Sequence, residues 1–259
     1  MARSINLNSD LGESFGAWPM GNDAAMLSIV TSANVACGFH AGDPTIMTET
    51  VKLAKANGVS IGAHPSFPDL QGFGRRQMKL SNAELEALIA YQTGALMGVA
   101  AAQGHKVTHV KPHGALSNMA SVDASMADAI ARAIKAVDAK LIFLATAGSE
   151  MAKAGRKHGL VTAQEIFADR TYGDDGNLTP RSQPHAMIHD AAQAVAHVRR
   201  MMQEQAIFSL SGKKIPTDID SVCVHGDEES AVAVARAVRE GLEQAQIRVL
   251  PLPEVMAGR

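Results

Sequence analysis

Six short segments hold most of the side chains in this chain that are equipped for acid–base, metal or anion chemistry: residues 6–13, 36–43, 62–65, 109–114, 167–170 and 222–227. Among them, Asp10 and Glu13 offer carboxylates, His40, His64 and His113 offer imidazoles, and Lys111 offers an amine. A carboxylate and an imidazole within reach of one substrate can activate water or relay protons, and an ammonium stabilises charge developing on an oxygen. Asp10 with His40 and His64 is also a set of two imidazoles and one carboxylate, which suits zinc or another first-row divalent ion. The donors come from separate segments, so metal binding and metal-free proton transfer both stay open at this level.

Two arginine groups point to an anionic ligand. Gly72-Phe-Gly-Arg75-Arg76 sets an arginine pair in a glycine-containing loop, and Arg170 and Arg181 flank residues 171–180. Guanidinium binds carboxylate or phosphate through two parallel hydrogen bonds. The other reading is that these arginines brace their loops against Asp69, Asp169 or Asp174. Asn8, Asp43, His225 and Asp227 complete the candidate substrate- or nucleotide-binding set. Phe15, Trp18, Phe39, Phe67, Phe73, Phe167 and Tyr172 lie in or beside the same segments, where they can wall a pocket and exclude water. His105, His158, His185, His189 and His197 fall in expected helices or loops and read as solvated.

The elements that must carry these groups alternate. β-rich runs are expected at 4–8, 29–36, 59–63, 107–111, 140–145, 160–168 and 221–224, with an eighth at 248–252. Helices are expected at 44–57, 82–103, 124–137, 149–158, 184–205 and 228–244. Asp43 before Pro44 reads as an N-cap with proline at the first helical position, and Ser81-Asn-Ala-Glu84 as a capping box. Strand–helix alternation argues for parallel pairing with right-handed crossovers. Functional residues after nearly every strand favour a closed (β/α) barrel of seven or eight strands over an open sheet, which gathers its site at one switch point. At 259 residues, with no linker or low-complexity stretch, the chain reads as a single barrel domain over 1–259.

Side chains alternate along a strand. Asn6, Asn8 and Asp10 share one face opposite Ile5, Leu7 and Leu11, and His109, Lys111 and His113 share one opposite Val110 and Pro112. Helices cover the outside of a barrel, so the polar rows should point inward, with Asn6, Asn8 and His109 either a satisfied polar core or part of the site. A formal net charge of −2 points to neither nucleic acid nor membrane. No run approaching the ~18 apolar residues of a membrane span is evident, and no secretory segment precedes the first strand. The two cysteines, Cys37 and Cys223, read as buried thiols of a cytoplasmic protein.

With these segments assembled, the chain closely resembles the LamB/YcsF family, associated with the A subunit of bacterial ATP-dependent 5-oxoprolinase. The stretches that carry the resemblance are residues 6–16, 33–44, 62–76, 109–118, 167–181 and 223–227, in order along nearly the whole chain. Ser9 stands where the family commonly has cysteine, and Ser117 where it commonly has tyrosine; neither change removes a charge. The resemblance implies a seven-stranded (β/α) barrel similar to the superfamily of polysaccharide deacetylases and some glycoside hydrolases. It also implies opening of the 5-oxoproline lactam to L-glutamate, coupled to hydrolysis of ATP with its Mg, in a complex with subunits B and C. No Gly-x-x-x-x-Gly-Lys-Ser/Thr loop is present, so the ATP expectation rests on the resemblance alone. In that setting Arg75, Arg76 and Lys111 are candidates for triphosphate or substrate carboxylate. Asp10 or Glu13, with His40 or His64, would activate water or relay protons, and His113 and Lys111 would stabilise the carbonyl oxygen. The alternatives are a metal-dependent amide or N-acetyl hydrolase using Asp10, His40 and His64 as ligands, and a substrate-binding subunit without activity of its own.

Overall fold

The computed structural model describes residues 4–225 and 231–257. Seven parallel strands close into a ring: β1 (Ser4–Leu11), β2 (Ser32–Ala36), β3 (Ser60–His64), β4 (Val107–Val110), β5 (Ile142–Thr146), β6 (Thr162–Phe167) and β9 (Ser221–Cys223), with β9 returning to pair with β1. The closed barrel expected from the alternation is the observed fold. The eighth run is shorter than expected. β10 (Arg248–Val249) pairs with Ser4 and Ile5 only and stays outside the ring. Ile5 accepts from the Leu250 N–H and Leu7 from the Thr31 N–H, so β10 and β2 take the same edge of β1 in succession.

Two short strands, β7 (Ala206–Phe208) and β8 (Lys214–Pro216), form an antiparallel hairpin that the sequence reading passed over. The covering helices are α2 (Pro44–Ala56), α3 (Asn82–Ala102), α5 (Ala124–Val137), α6 (Glu150–Lys157), α7 (Ala191–Glu204) and α8 (Ala231–Gln244). α7 starts seven residues later than expected, because residues 184–190 belong to the loop that Asp190 ends as N-cap. α1 (Asp23–Leu27), α4 (Gly114–Ala120) and α9 (Leu252–Val255) are short additions.

Both predicted caps form. Asp43 accepts from the Thr45 and Ile46 N–H groups, and Ser81 with Glu84 makes the reciprocal box. α3 corrects one expectation: at 21 residues it is long and apolar enough by composition to cross a membrane. Here it buries Leu85, Leu88, Ile89 and Leu96 on one face. Outside the ring, Ile5, Leu7, Leu11, Val35, Ile61 and Val110 pack under the helices in one continuous core.

The ring's interior is polar on one side and apolar on the other. At the lower end Ile142, Leu144 and Ala163 meet Leu252, Val255 and Met256, so α9 stoppers the barrel. Across from them the polar rows stack in levels. Asn6 donates to Ser32 Oγ (2.8 Å) and accepts from Ser221 Oγ (2.7 Å). One level higher, Asn8 donates to Glu165 Oε1 (2.7 Å), and Asn34 donates to Asn8 Oδ1 (2.7 Å). His109 Nε2 donates to Asn34 Oδ1 at 2.9 Å. The imidazole of His109 lies over Gly62, its register partner on the neighbouring β3, where any Cβ would overlap the ring. Burial drives His109 down to about 3, so it is neutral. Asn6 and His109 are satisfied core.

Candidate active site

The third level is the charged floor of a cavity at the C-terminal ends of the strands. Lys111 follows β4 and extends its Nζ to Asp10 Oδ1 (2.9 Å), Glu165 Oε2 (3.1 Å) and Cys223 Sγ (3.2 Å). Burial opposes the Lys111 charge, but Asp10 and its other neighbours outweigh it and hold the ammonium well above its usual range. Asp10 has the mirror situation: burial would raise it, yet His64 and Lys111 hold it well below the ordinary carboxylate value. Glu165, by contrast, is pushed up by burial that Lys111 only partly offsets. Opposite charges buried together at this spacing fix one another's ionisation and geometry.

Beside this floor lies an imidazole cluster. A carbonyl can only accept, so two contacts settle two tautomers. His64 Nδ1 donates to the Lys111 carbonyl (2.6 Å), and His113 Nε2 donates to the Phe73 carbonyl (2.8 Å). Their remaining nitrogens, His64 Nε2 and His113 Nδ1, face each other at 3.0 Å. Asp10 Oδ2 is 3.2 Å from His64 Nε2, and Glu13 Oε1 is 3.6 Å from His113 Nδ1. His40 stacks flat on His113, with ring centroids 3.8 Å apart, and donates from Nε2 to Glu13 Oε1 at 3.2 Å. Burial first, then neighbouring imidazoles, keeps both His40 and His113 well below their usual value, hence neutral. Gly74, at φ +63°, lets the loop press onto this stack; a Cβ there would strike Ser66, His40 and His113.

Across the cavity, His225 Nδ1 donates to Asp169 Oδ2 at 2.6 Å. Burial works against the His225 charge, but Asp169 more than compensates and raises it above 6.5. Arg170 donates to the Thr179 carbonyl, and burial, then Arg181, lowers it to about 10. The cavity holds about 900 Å³ and is bordered by Asp10, Glu13, His64, Lys111, His113 and His225, with Arg75, Arg170 and Arg181 on its wall. That volume lies within the ~300–1,000 Å³ of small-molecule sites.

Ring closure thus brings Asp10, Glu13, His64, Lys111, His113, Arg75, Arg170, Arg181 and His225 to one cavity. Four other candidates sit elsewhere. Asn8 is under the floor, and His40 is buried behind Glu13. Asp43 spends its carboxylate on the α2 N-terminus and the Gly16 N–H. Arg76 pairs with Asp69 within its own loop, the bracing arrangement, and its side chain is 63% exposed. Asp227 lies outside the described residues. The expected metal triad is regrouped: His40 and His64 fall with Glu13 and His113, and Asp10 with Cys223 and His225.

The sequence reading missed Glu165 and gave Asp169 only as a brace for the arginines, not as the partner of His225. A glutamate two residues before Phe167 on β6 was the available signal, since period two places it on the same face as Phe167. His197, expected in solvent, is half-buried and donates to the Arg170 carbonyl.

Residues 5–257 match the LamB/YcsF family. A protein of Rhodopseudomonas palustris (strain BisB5), named as the A subunit of 5-oxoprolinase, is 59% identical over 248 residues, covering 95% of this chain and 98% of its own. The crystal structure of a lactam utilization protein from Thermus thermophilus superposes with a TM-score of 0.89 at 45% identity, covering 95% of this chain and 99% of that one. A T48 deacetylase solved with substrate, 15% identical with a TM-score of 0.52 over 99% of this chain and 92% of that one, shares the barrel fold.

Proposed function

The chain belongs to the LamB/YcsF family, and from that premise we infer that it is the component of a multi-subunit 5-oxoprolinase in which the 5-oxoproline lactam is opened to L-glutamate with ATP hydrolysis. The reading is supported by relatives named as the A subunit of 5-oxoprolinase. The observation that carries it is the charged floor: Lys111 held between Asp10 and Glu165 at the bottom of a cavity rimmed by arginines.

A five-membered lactam resists water because its nitrogen lone pair is delocalised into the carbonyl. ATP would supply the phosphoryl group that activates that oxygen, with two waters consumed in forming glutamate, ADP and phosphate. The protein's part is electrostatic and positional. The Lys111 ammonium faces the oxygen on which charge develops, a type of contact worth roughly 10²–10³ in rate. Glu13 and the neutral imidazole of His113 border the same space and can take a proton from attacking water and return one to the ring nitrogen as the C–N bond breaks. Arg75, Arg181 and the His225 imidazolium offer the substrate carboxylate or a phosphate a cationic wall. Subunits B and C complete the reaction in this reading.

The test is glutamate release from 5-oxoproline by the complex reconstituted with its partner subunits, with and without ATP. ATP-dependent release that falls at least about 100-fold in Asp10→Asn and Lys111→Met supports the reading. Release without ATP, or unchanged turnover in both variants, overturns it.

A further inference from the structure

We propose that Glu13, His64 and His113 form a seat for one first-row divalent cation, with zinc the reference case, and that His40 is the residue that orients Glu13. The inference goes beyond the ATP-coupled reading and does not depend on it.

His64 has its Nδ1 proton committed to the Lys111 carbonyl, and His113 has its Nε2 proton committed to the Phe73 carbonyl. With those protons committed, His64 Nε2 and His113 Nδ1 are turned toward each other across 3.0 Å, so the pair can share one proton or one cation. Glu13 Oε1, 3.6 Å from His113 Nδ1, is the third donor. Donors each about 2.1 Å from a shared zinc stand about 3.4 Å apart at the tetrahedral angle, which these separations approach. Anchoring a ligand imidazole through its far N–H to a carbonyl is the usual outer support of a metal site. Both histidines have it here.

His40 does not. Its Nδ1 is buried without a partner, so coordination through Nε2 would leave an N–H with no acceptor. Its Nε2 instead donates to Glu13 at 3.2 Å, which fixes the carboxylate's direction. Asp10 is occupied from the other side, its Oδ1 taking bonds from Lys111 and Asn34. Its Oδ2 lies 3.2 Å from His64 Nε2. The other grouping of donors, Asp10 with Cys223 and His225, already has the Lys111 ammonium within 3.2 Å of two of its members and repels a second cation. The seat opens on the cavity, which Glu13, His64 and His113 all border. A divalent ion there would occupy the Glu13 carboxylate and the His113 Nδ1 lone pair, and would polarise a bound carbonyl or water in place of the direct proton transfer those two groups carry without it.

The experiment uses the full chain, stripped with chelator and titrated with Zn²⁺ and with Co²⁺. The expected result is one equivalent bound per chain, a four-coordinate cobalt absorption spectrum, and release of about one proton measured by calorimetry in buffers of different ionisation enthalpy. Glu13→Gln and His113→Ala, each checked for native melting, should weaken binding at least about 100-fold, and His40→Leu about 10-fold, with His40→Gln restoring it through an amide donor to Glu13. His225→Ala should leave it unchanged. No saturable binding, binding that survives His113→Ala, or binding lost in His225→Ala overturns the proposal. Because stoichiometry is read without ATP, 5-oxoproline or partner subunits, its failure and that of the ATP-coupled reading are distinguishable.

Discussion

Replacing Lys111 with methionine keeps most of the side-chain volume and removes the ammonium from between Asp10 and Glu165. Asp10 retains His64 and Asn34 as partners, so the stranded charge is chiefly that of Glu165. Glu165 can respond by taking up a proton. From its ordinary value of 4.5, holding that proton at pH 7 costs about 3.4 kcal/mol, at about 1.36 kcal/mol per pH unit. The figure agrees with the ~3–5 kcal/mol lost when one partner of a buried pair is removed. At pH 5 the same proton costs only about 0.7 kcal/mol. The sign follows from linkage. An acid whose folded value is raised above its unfolded value destabilises the fold progressively as pH climbs from the unfolded value to the folded one. For a chain of this size, ~2–4 °C per kcal/mol gives a Tm loss of at most about 7–14 °C at pH 7 and about 1–3 °C at pH 5, since burial already raises Glu165 in the wild type and part of the cost is present there. Calorimetry of the wild type, Lys111→Met, and Lys111→Met with Glu165→Gln measures it. The double variant should regain most of the Tm at pH 7 while its turnover stays lost. Equal Tm losses at pH 5 and pH 7 would refute the assignment of a charged, buried Glu165 held by Lys111.

Three further outcomes follow from individual contacts. Ser9 Oγ is buried without a hydrogen-bond partner, so Ser9→Ala should raise Tm by about 2–4 °C, removing an unsatisfied hydroxyl that costs roughly 1 kcal/mol or more; a lower Tm counts against this. Gly62→Ala puts a methyl into the His109 ring and should destabilise by about 2 kcal/mol or more through overpacking, read as a lowered denaturant midpoint. Asp169 raises His225 above 6.5, so the pair stabilises the fold fully below 6.5, and that contribution is lost as pH rises through the raised value. If the imidazolium holds substrate, KM should climb over the same window, and Asp169→Asn should move that climb to lower pH; an unchanged KM profile removes His225 from binding.

The strand parity of Asn6, Asn8, Asp10, His109 and Lys111 was legible because alternation is a local property, and Asp43 and Ser81 were legible as caps because capping spans three residues. Glu165 was overlooked because one glutamate beside Gln164 in a mixed strand gains meaning only when Lys111, 54 residues earlier in the chain, is known to lie 3.1 Å away. Arg75 and Arg76 are adjacent in sequence and alike in chemistry, yet one borders the cavity while the other pairs with Asp69. Backbone turns in the glycine loop decide that difference, and composition does not encode it.

By itself, the amino-acid sequence determined the alternation of strands and helices, the inward direction of the polar rows, and the kinship to LamB/YcsF, each carried by residues close together or by ordered motifs. Only the tertiary structure decided which donors share a point in space. Closing the ring sets His113 against His64 and Glu13 and turns Asp10 toward Lys111, because a hydrogen bond or a metal bond is sensitive to tenths of an ångström and the distances between separate strands are fixed only when the barrel closes.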